Sequence, residues 1–104
     1  MDIFSQTKGF EWDEGNIAKN YKKHRVAYFE CEQIFFNEPL IVKPDKIHST
    51  SEERYFALGK TDEKRFLFVV FTIRDNKIRV VSARDMNKKE RRCYHERSKE
   101  DSKV

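Results

Sequence analysis

The chain has 104 residues, of which 38% are hydrophobic and 38% charged, and it carries a net charge of +4 at neutral pH. That length supports one hydrophobic core and not two. No run approaches the ~20 apolar residues of a membrane span, and three glycines leave no room for a Gly-rich phosphate loop. The basic balance favours an anionic partner, without separating nucleic acid from a membrane surface or an acidic protein. Cys31 and Cys93 lie far apart and match no metal spacing, so neither a metal nor a cofactor is expected. The segment Met1–Gly9 lacks the apolar core of a signal peptide, and the chain reads as cytoplasmic with free thiols.

From the N-terminus, Phe10-Glu11-Trp12-Asp13 alternates apolar and acidic residues, as a short strand with one buried face does. Asp13 is a good N-cap for a helix running to about His24, with Ile17, Tyr21 and His24 on its apolar face. A second helix is predicted over roughly Tyr28–Asn37, ended by Pro39, which biases the residue before it away from helical angles. Leu40–Val42 is a short strand, and the polar stretch from Pro44 to Glu52 a loop. Strands follow at Arg54–Gly59, Arg65–Arg74 and Lys77–Arg84. Arg65–Ile73 is apolar on both faces and therefore central. Asp75-Asn76 suits a two-residue turn, since both residue types tolerate positive φ. Asn87 with Glu90 three residues later forms a capping box for a last helix ending near Glu96, and residues 97–104 read as a frayed tail. The order describes one α+β domain over residues 1–104 with its core at 10–96: a short strand, a helical hairpin, a mainly antiparallel sheet and a C-terminal helix.

The hairpin carries the densest charge. With Asp75-Asn76 as the turn, Arg74 faces Lys77, Thr72 faces Arg79 and Val70 faces Val81, so Thr72, Arg74, Lys77 and Arg79 share one face. Strand alternation puts Arg84 on the opposite face, where it would anchor the last helix or a partner. Like charges on paired strands repel, so this face is either solvated or a phosphate site. Lys19 and Lys23 are a solvated helix face or further phosphate contacts. His48 lies in the polar loop just before Glu52-Glu53-Arg54. It is either a surface histidine or a proton carrier. Trp12 is a core residue or a stacking platform for a base. Tyr94, four residues after Glu90, could line a cleft.

Taken in order, Phe10-Glu11-Trp12-Asp13, Lys19-Asn20, Lys23-His24, Phe35 with Pro39, His48, Glu53-Arg54, Gly59, Thr72 with Arg74, Ser82-Ala83-Arg84 and Glu90-Arg91 with Tyr94 resemble the BrnT toxins. The resemblance spans about Phe10 to Glu96. It implies a RelE-like ribonuclease fold and the toxin role in a type II toxin–antitoxin system, in which the toxin cleaves RNA and stops translation. It also implies a BrnA-like ribbon-helix-helix antitoxin, in a heterotetramer of two toxins and two antitoxins. Through that partner the pair would bind operator DNA and repress its own operon. The family usually has glycine after the Lys-His pair, where this chain has Arg25. In the catalytic reading Arg74, Arg79 and Arg84 stabilise phosphorane charge. Glu53 and His48 exchange protons, and Lys19, Lys23, Arg54, Trp12 and Tyr94 hold RNA. The rivals are a non-catalytic RNA- or protein-binding module and a metal-dependent nuclease built on His48 and Glu53.

Overall fold

The computed structural model describes Phe4, residues 7–47 and residues 52–101, the last two by backbone alone. Its elements run β1 (Phe10–Glu11), α1 (Glu14–His24), α2 (Tyr28–Ile34), β2 (Ile41–Pro44), β3 (Arg54–Lys60), β4 (Phe66–Arg74), β5 (Lys77–Asp85) and α3 (Lys88–Asp101). The five strands form one sheet in the order β1-β5-β4-β3-β2, antiparallel except where β1 joins β5. The doubly apolar β4 is central, as its composition demands. The Asp75-Asn76 turn has both residues at positive φ, 52° and 62°, the two-residue geometry that matches strand twist.

Two apolar clusters lie on opposite faces of the sheet. On one, Val26, Cys31 and Ile34 from the helical hairpin pack on Val69, Phe71, Ile78, Val80 and Ala83. Burial pushes the Cys31 thiol up to about 12, with Glu30 and Glu32 adding to the effect, so this cysteine is an inert core group. On the other face Met86 and Tyr94 pack on Ile41 and Leu58, with Phe66 and Phe68 beside them. Close approach of α2 to β3 requires Gly59, where an added Cβ would stand 2.8 Å from the Ile34 Cβ.

Three local expectations are corrected. The buried position of α1 is Asn20, 3% exposed, whereas Tyr21 is 51% exposed, so the helix turns a polar residue inward. α2 stops at Ile34 with Phe35 as its C-cap, short of Asn37. α3 runs on to Asp101, beyond the expected end near Glu96, because Arg97, Lys99 and Glu100 are good helix formers even without an apolar anchor. Its capping box forms as expected: the Glu90 amide donates to Asn87 Oδ1 at 2.8 Å and the Asn87 amide to Glu90 Oε1 at 2.9 Å.

Arg25 adopts the left-handed cap conformation that glycine would take more cheaply, at φ 55° and ψ 35°. The compensation comes from a residue distant in sequence. Arg65 donates to the carbonyls of His24 and Arg25 at the end of α1, at 3.1 and 2.8 Å, and pairs with both Glu30 and Asp85. This guanidinium ties α1, α2 and the end of β5 together, and the Asp85 hydrogen bond is the main cause of its raised pKa. Conversely, Arg65 holds the Asp85 carboxyl below the usual range. A depressed folded-state pKa contributes stability that is complete above the unfolded value and lost as pH falls through the folded one. The midpoint of denaturant unfolding should therefore hold steady near neutrality and drop below about pH 4. Asp85→Asn should be less stable near neutrality and show a shallower drop.

Candidate nucleic-acid interface and active site

The site is built by strand register. Arg54 of β3 lies opposite Thr72 of β4, Thr72 opposite Arg79 of β5, and Arg79 beside Glu11 of β1. These four side chains form a row across four strands on the face that also carries α3. Arg74 and Lys77 form the next row toward the hairpin turn. Thr72 is buried, 6% exposed, between two arginine-bearing strands. Neighbouring strands lie about 4.8 Å apart, so Arg54 and Arg79 flank Thr72 at about twice that spacing, with Arg74 one row away.

A bulge decides which arginines join this face. Register shifts between Val70 and Phe71, so Val70 pairs with Ser82 and Phe68 with Arg84, leaving Val81 as the extra residue. The expected Val70–Val81 pairing is thereby corrected, and so is the side assigned to Arg84, which shares the face of Arg74 and Arg79. The physical cause is burial. An unbroken alternation from Val80 would have sent Ser82 and Arg84 into the apolar core. The bulge sends Ala83 there instead, 1% exposed, and avoids the cost of burying an unpaired charge.

Arg74, Arg79 and Arg84 are each held by a carboxylate. Arg74 grips Glu52 through two bonds, Nη2 to Oε1 at 2.5 Å and Nε to Oε2 at 3.1 Å. That grip holds the Glu52 carboxyl below its ordinary range, and Arg79 adds a smaller effect. Arg79 donates to Asp13 Oδ2 at 3.2 Å, while the other Asp13 oxygen caps α1 by accepting from the Asn16 amide at 2.8 Å. The Asn16 bond is the first cause of the lowered Asp13 pKa and Arg79 the second. Arg84 forms a fork with Glu90 at 2.8 and 2.9 Å and stacks 4.2 Å above the Phe68 ring. For Glu90, burial acts upward but is outweighed by Arg84 and the Asn87 amide together, and its pKa is lowered. Glu11 differs from the others. Its Oε2 is buried and has no hydrogen-bond partner among the described residues, and its charge acts on Arg74.

The expected site residues thus divide. Arg74, Arg79 and Arg54 are brought together. Arg84 joins their face two rows away, engaged with α3. Glu53 is not drawn to the arginines: it accepts from the Tyr55 hydroxyl at 2.6 Å, and Tyr55 stacks on Phe71 on the helical-hairpin side. Its neighbour Glu52 is the carboxylate on Arg74, a distinction of one residue that sequence spacing cannot make. Lys19 and Lys23 are exposed on α1 and share no hydrogen bond or ion pair with the cluster. Two RNA-binding expectations are corrected. Trp12 donates through Nε1 to Glu32 at 2.8 Å and meets Tyr28 edge-on, so it fastens β1 to α2 rather than offering a free ring. Tyr94 is 1% exposed and its hydroxyl donates to the Pro39 carbonyl at 2.7 Å, so it is core. His48 lies outside the described residues. Glu11 and Glu52 were missed. The signal that could have found Glu11 is its place in a strand two residues from the Asp13 cap.

Known proteins resemble this chain in family pattern and in fold. The family model described as the ribonuclease toxin BrnT of a type II toxin–antitoxin system matches residues 12–90. The crystal structure of the Brucella abortus ribonuclease toxin BrnT is similar in fold, with a TM-score of 0.60 at 21% identity, covering 79% of this chain and all (100%) of that one. A search of curated proteins by sequence found no match. No described helix is long and apolar enough to cross a membrane. With most of its length matched, from Trp12 through the arginine hairpin to Glu90, the chain belongs to the BrnT family of ribonuclease toxins of type II toxin–antitoxin systems.

Proposed function

We propose that the protein is a metal-independent endoribonuclease that cuts RNA, halts translation and is neutralised by a BrnA-like ribbon-helix-helix antitoxin. The two would form a heterotetramer that binds operator DNA and represses their operon. The observation that carries the cleavage reading is the cross-strand row of Arg54, Thr72 and Arg79 with Arg74 beside it, in which Arg74 and Arg79 rest on the carboxylates of Glu52 and Asp13 that a phosphate can replace. Planar guanidinium groups match phosphate oxygens as well as they match carboxylates.

In the reaction the ribose 2′-oxygen loses its proton to a base and attacks the adjacent phosphorus. The phosphorus–2′-oxygen bond forms, the phosphorus–5′-oxygen bond breaks, and the leaving oxygen takes a proton from an acid. The products are a 2′,3′-cyclic phosphate and a 5′-hydroxyl. Arg74 and Arg79 hold the non-bridging oxygens and offset the charge that grows on them. RNA phosphate competes with Glu52 for Arg74. Released from its partner, Glu52 loses the interaction that lowers its pKa and becomes a better base. Glu52 thus replaces Glu53 in the proton-transfer role, and His48 supplies the acid by its chemistry. Arg54 positions the strand, with Lys19 and Lys23 as outlying phosphate contacts. Arg84 acts through Glu90 on the placement of α3.

Induced expression should stop growth and amino-acid incorporation and leave cut RNA. Co-expression of a neighbouring ribbon-helix-helix gene should restore growth. Purified protein should cut RNA equally well in excess chelator. Cleavage that chelator abolishes would establish the metal-dependent alternative, and salt-sensitive RNA binding with no cut products would establish a binding module.

A further inference from the structure

The arginine face continues into a cavity that the cleavage reading does not use. It holds about 460 Å³ between the sheet and the first turns of α3. Ile41, Leu58, Phe56 and Phe68 form its apolar floor, and Lys43, Asn87 and Lys89 stand at its rim. Register makes it continuous with the cation row, because Phe56 is two residues from Arg54 on one face of β3, about 7 Å along the strand.

The floor is a stack that ends at Phe56, with Lys43 opposite it on β2. The Arg84 guanidinium lies over Phe68 at 4.2 Å, and Phe68 stacks on Phe56 with ring centroids 5.5 Å apart and planes 25° apart. Phe56 contacts no further ring among the described residues, and it is only half-buried. Flat ring faces beside a line of cations are what single-stranded nucleic acid stacks upon. The rim carries donors, and the one carboxylate in the lining, Glu90, is already engaged by the Arg84 fork. Asn87 spends its Oδ1 on the Glu90 amide, which leaves its NH₂ group to donate. Lys43 and Lys89 are exposed and only donate. Guanine answers such a rim best, since N7 and O6 are adjacent acceptors.

We infer that this cavity is a subsite for one base of the bound RNA, stacked on Phe56 and held along its acceptor edge by Asn87, Lys43 and Lys89, with guanine preferred. It rests on RNA being the substrate and gives that substrate a base specificity.

The test measures binding of short 2′-O-methyl RNAs, which cannot be cut through the 2′-oxygen, alongside cleavage of ordinary RNA. One oligomer is all uridine and the other carries a single central guanine. The wild-type protein should bind the guanine oligomer about 10-fold more tightly. Phe56→Leu, which keeps the apolar floor, should lose that difference, and Phe56→Tyr should keep it. Thermal unfolding of each variant checks that the fold is intact. Equal affinities for the two oligomers in the wild-type protein, or a preference that survives Phe56→Leu, overturns the subsite. Selective binding without cleavage would uphold the subsite and sink the ribonuclease mechanism. Cleavage without selective binding would do the reverse.

Discussion

Arg74→Ala should lower RNA cleavage about 10²- to 10³-fold, the usual effect of removing one donor that stabilises charge in a transition state. The fold should survive. The Arg74–Glu52 pair is 42% and 39% exposed at its side chains, and solvent screening leaves such a pair little weight in stability. Activity and stability therefore separate in this variant. Arg74→Lys keeps the charge and loses the planar fork, and should recover only part of the rate. Arg79→Ala should behave like Arg74→Ala, with a small added loss of stability because Asp13 is also the α1 cap. The measurement is initial cleavage rate on a defined RNA, paired with a denaturant midpoint. An Arg74→Ala protein that still cuts at the wild-type rate would remove the arginine hairpin from the mechanism.

Tyr94→Ala should be the most destabilising change on the α3 side of the sheet, at about 3–5 kcal/mol, as expected for truncating a fully buried aromatic residue. Among the described side chains of α3, this is the one that is fully enclosed. It lies against Ile41, Leu58, Met86 and Phe66, and its hydroxyl satisfies the Pro39 carbonyl. Tyr94→Phe keeps the packing and leaves that carbonyl without its donor, at about 1–2 kcal/mol. Thermal unfolding of the two variants checks the order. The alternative, Tyr94 as an RNA contact, predicts the reverse pattern: lost activity with stability unchanged. Because Arg84 and Glu90 also link β5 to α3, loosening this helix should weaken cleavage only indirectly, by deforming the wall of the cleft.

What could be read in the chain before folding was local. The Asp75-Asn76 turn, the Asn87–Glu90 capping box, the Asp13 cap and the central place of β4 each depend on a few neighbouring residues. Their chemistry acts over one turn of backbone, so spacing suffices. The meeting of Arg74, Thr72 and Arg79 was legible for the same reason, since a tight turn sets the register of the residues beside it. Tertiary structure decided the rest. The bulge at Val81 reverses every side chain after it, and it exists because Ala83 fits the core and Arg84 does not. Asn20 faces inward although Tyr21 is more apolar, because the packing of α1 on β5 sets which face is covered. Arg65, just before β4, serves three elements at once, and the side-chain partners of its guanidinium are all distant in sequence. Glu52 reaches Arg74 while Glu53 turns to the Tyr55 hydroxyl, a choice made in the segment leading into β3. The sequence by itself determined which segments fold and which face of the hairpin is cationic. Only packing, through the side chains that must leave water and those that cannot, decided which carboxylates and aromatic rings stand beside those cations.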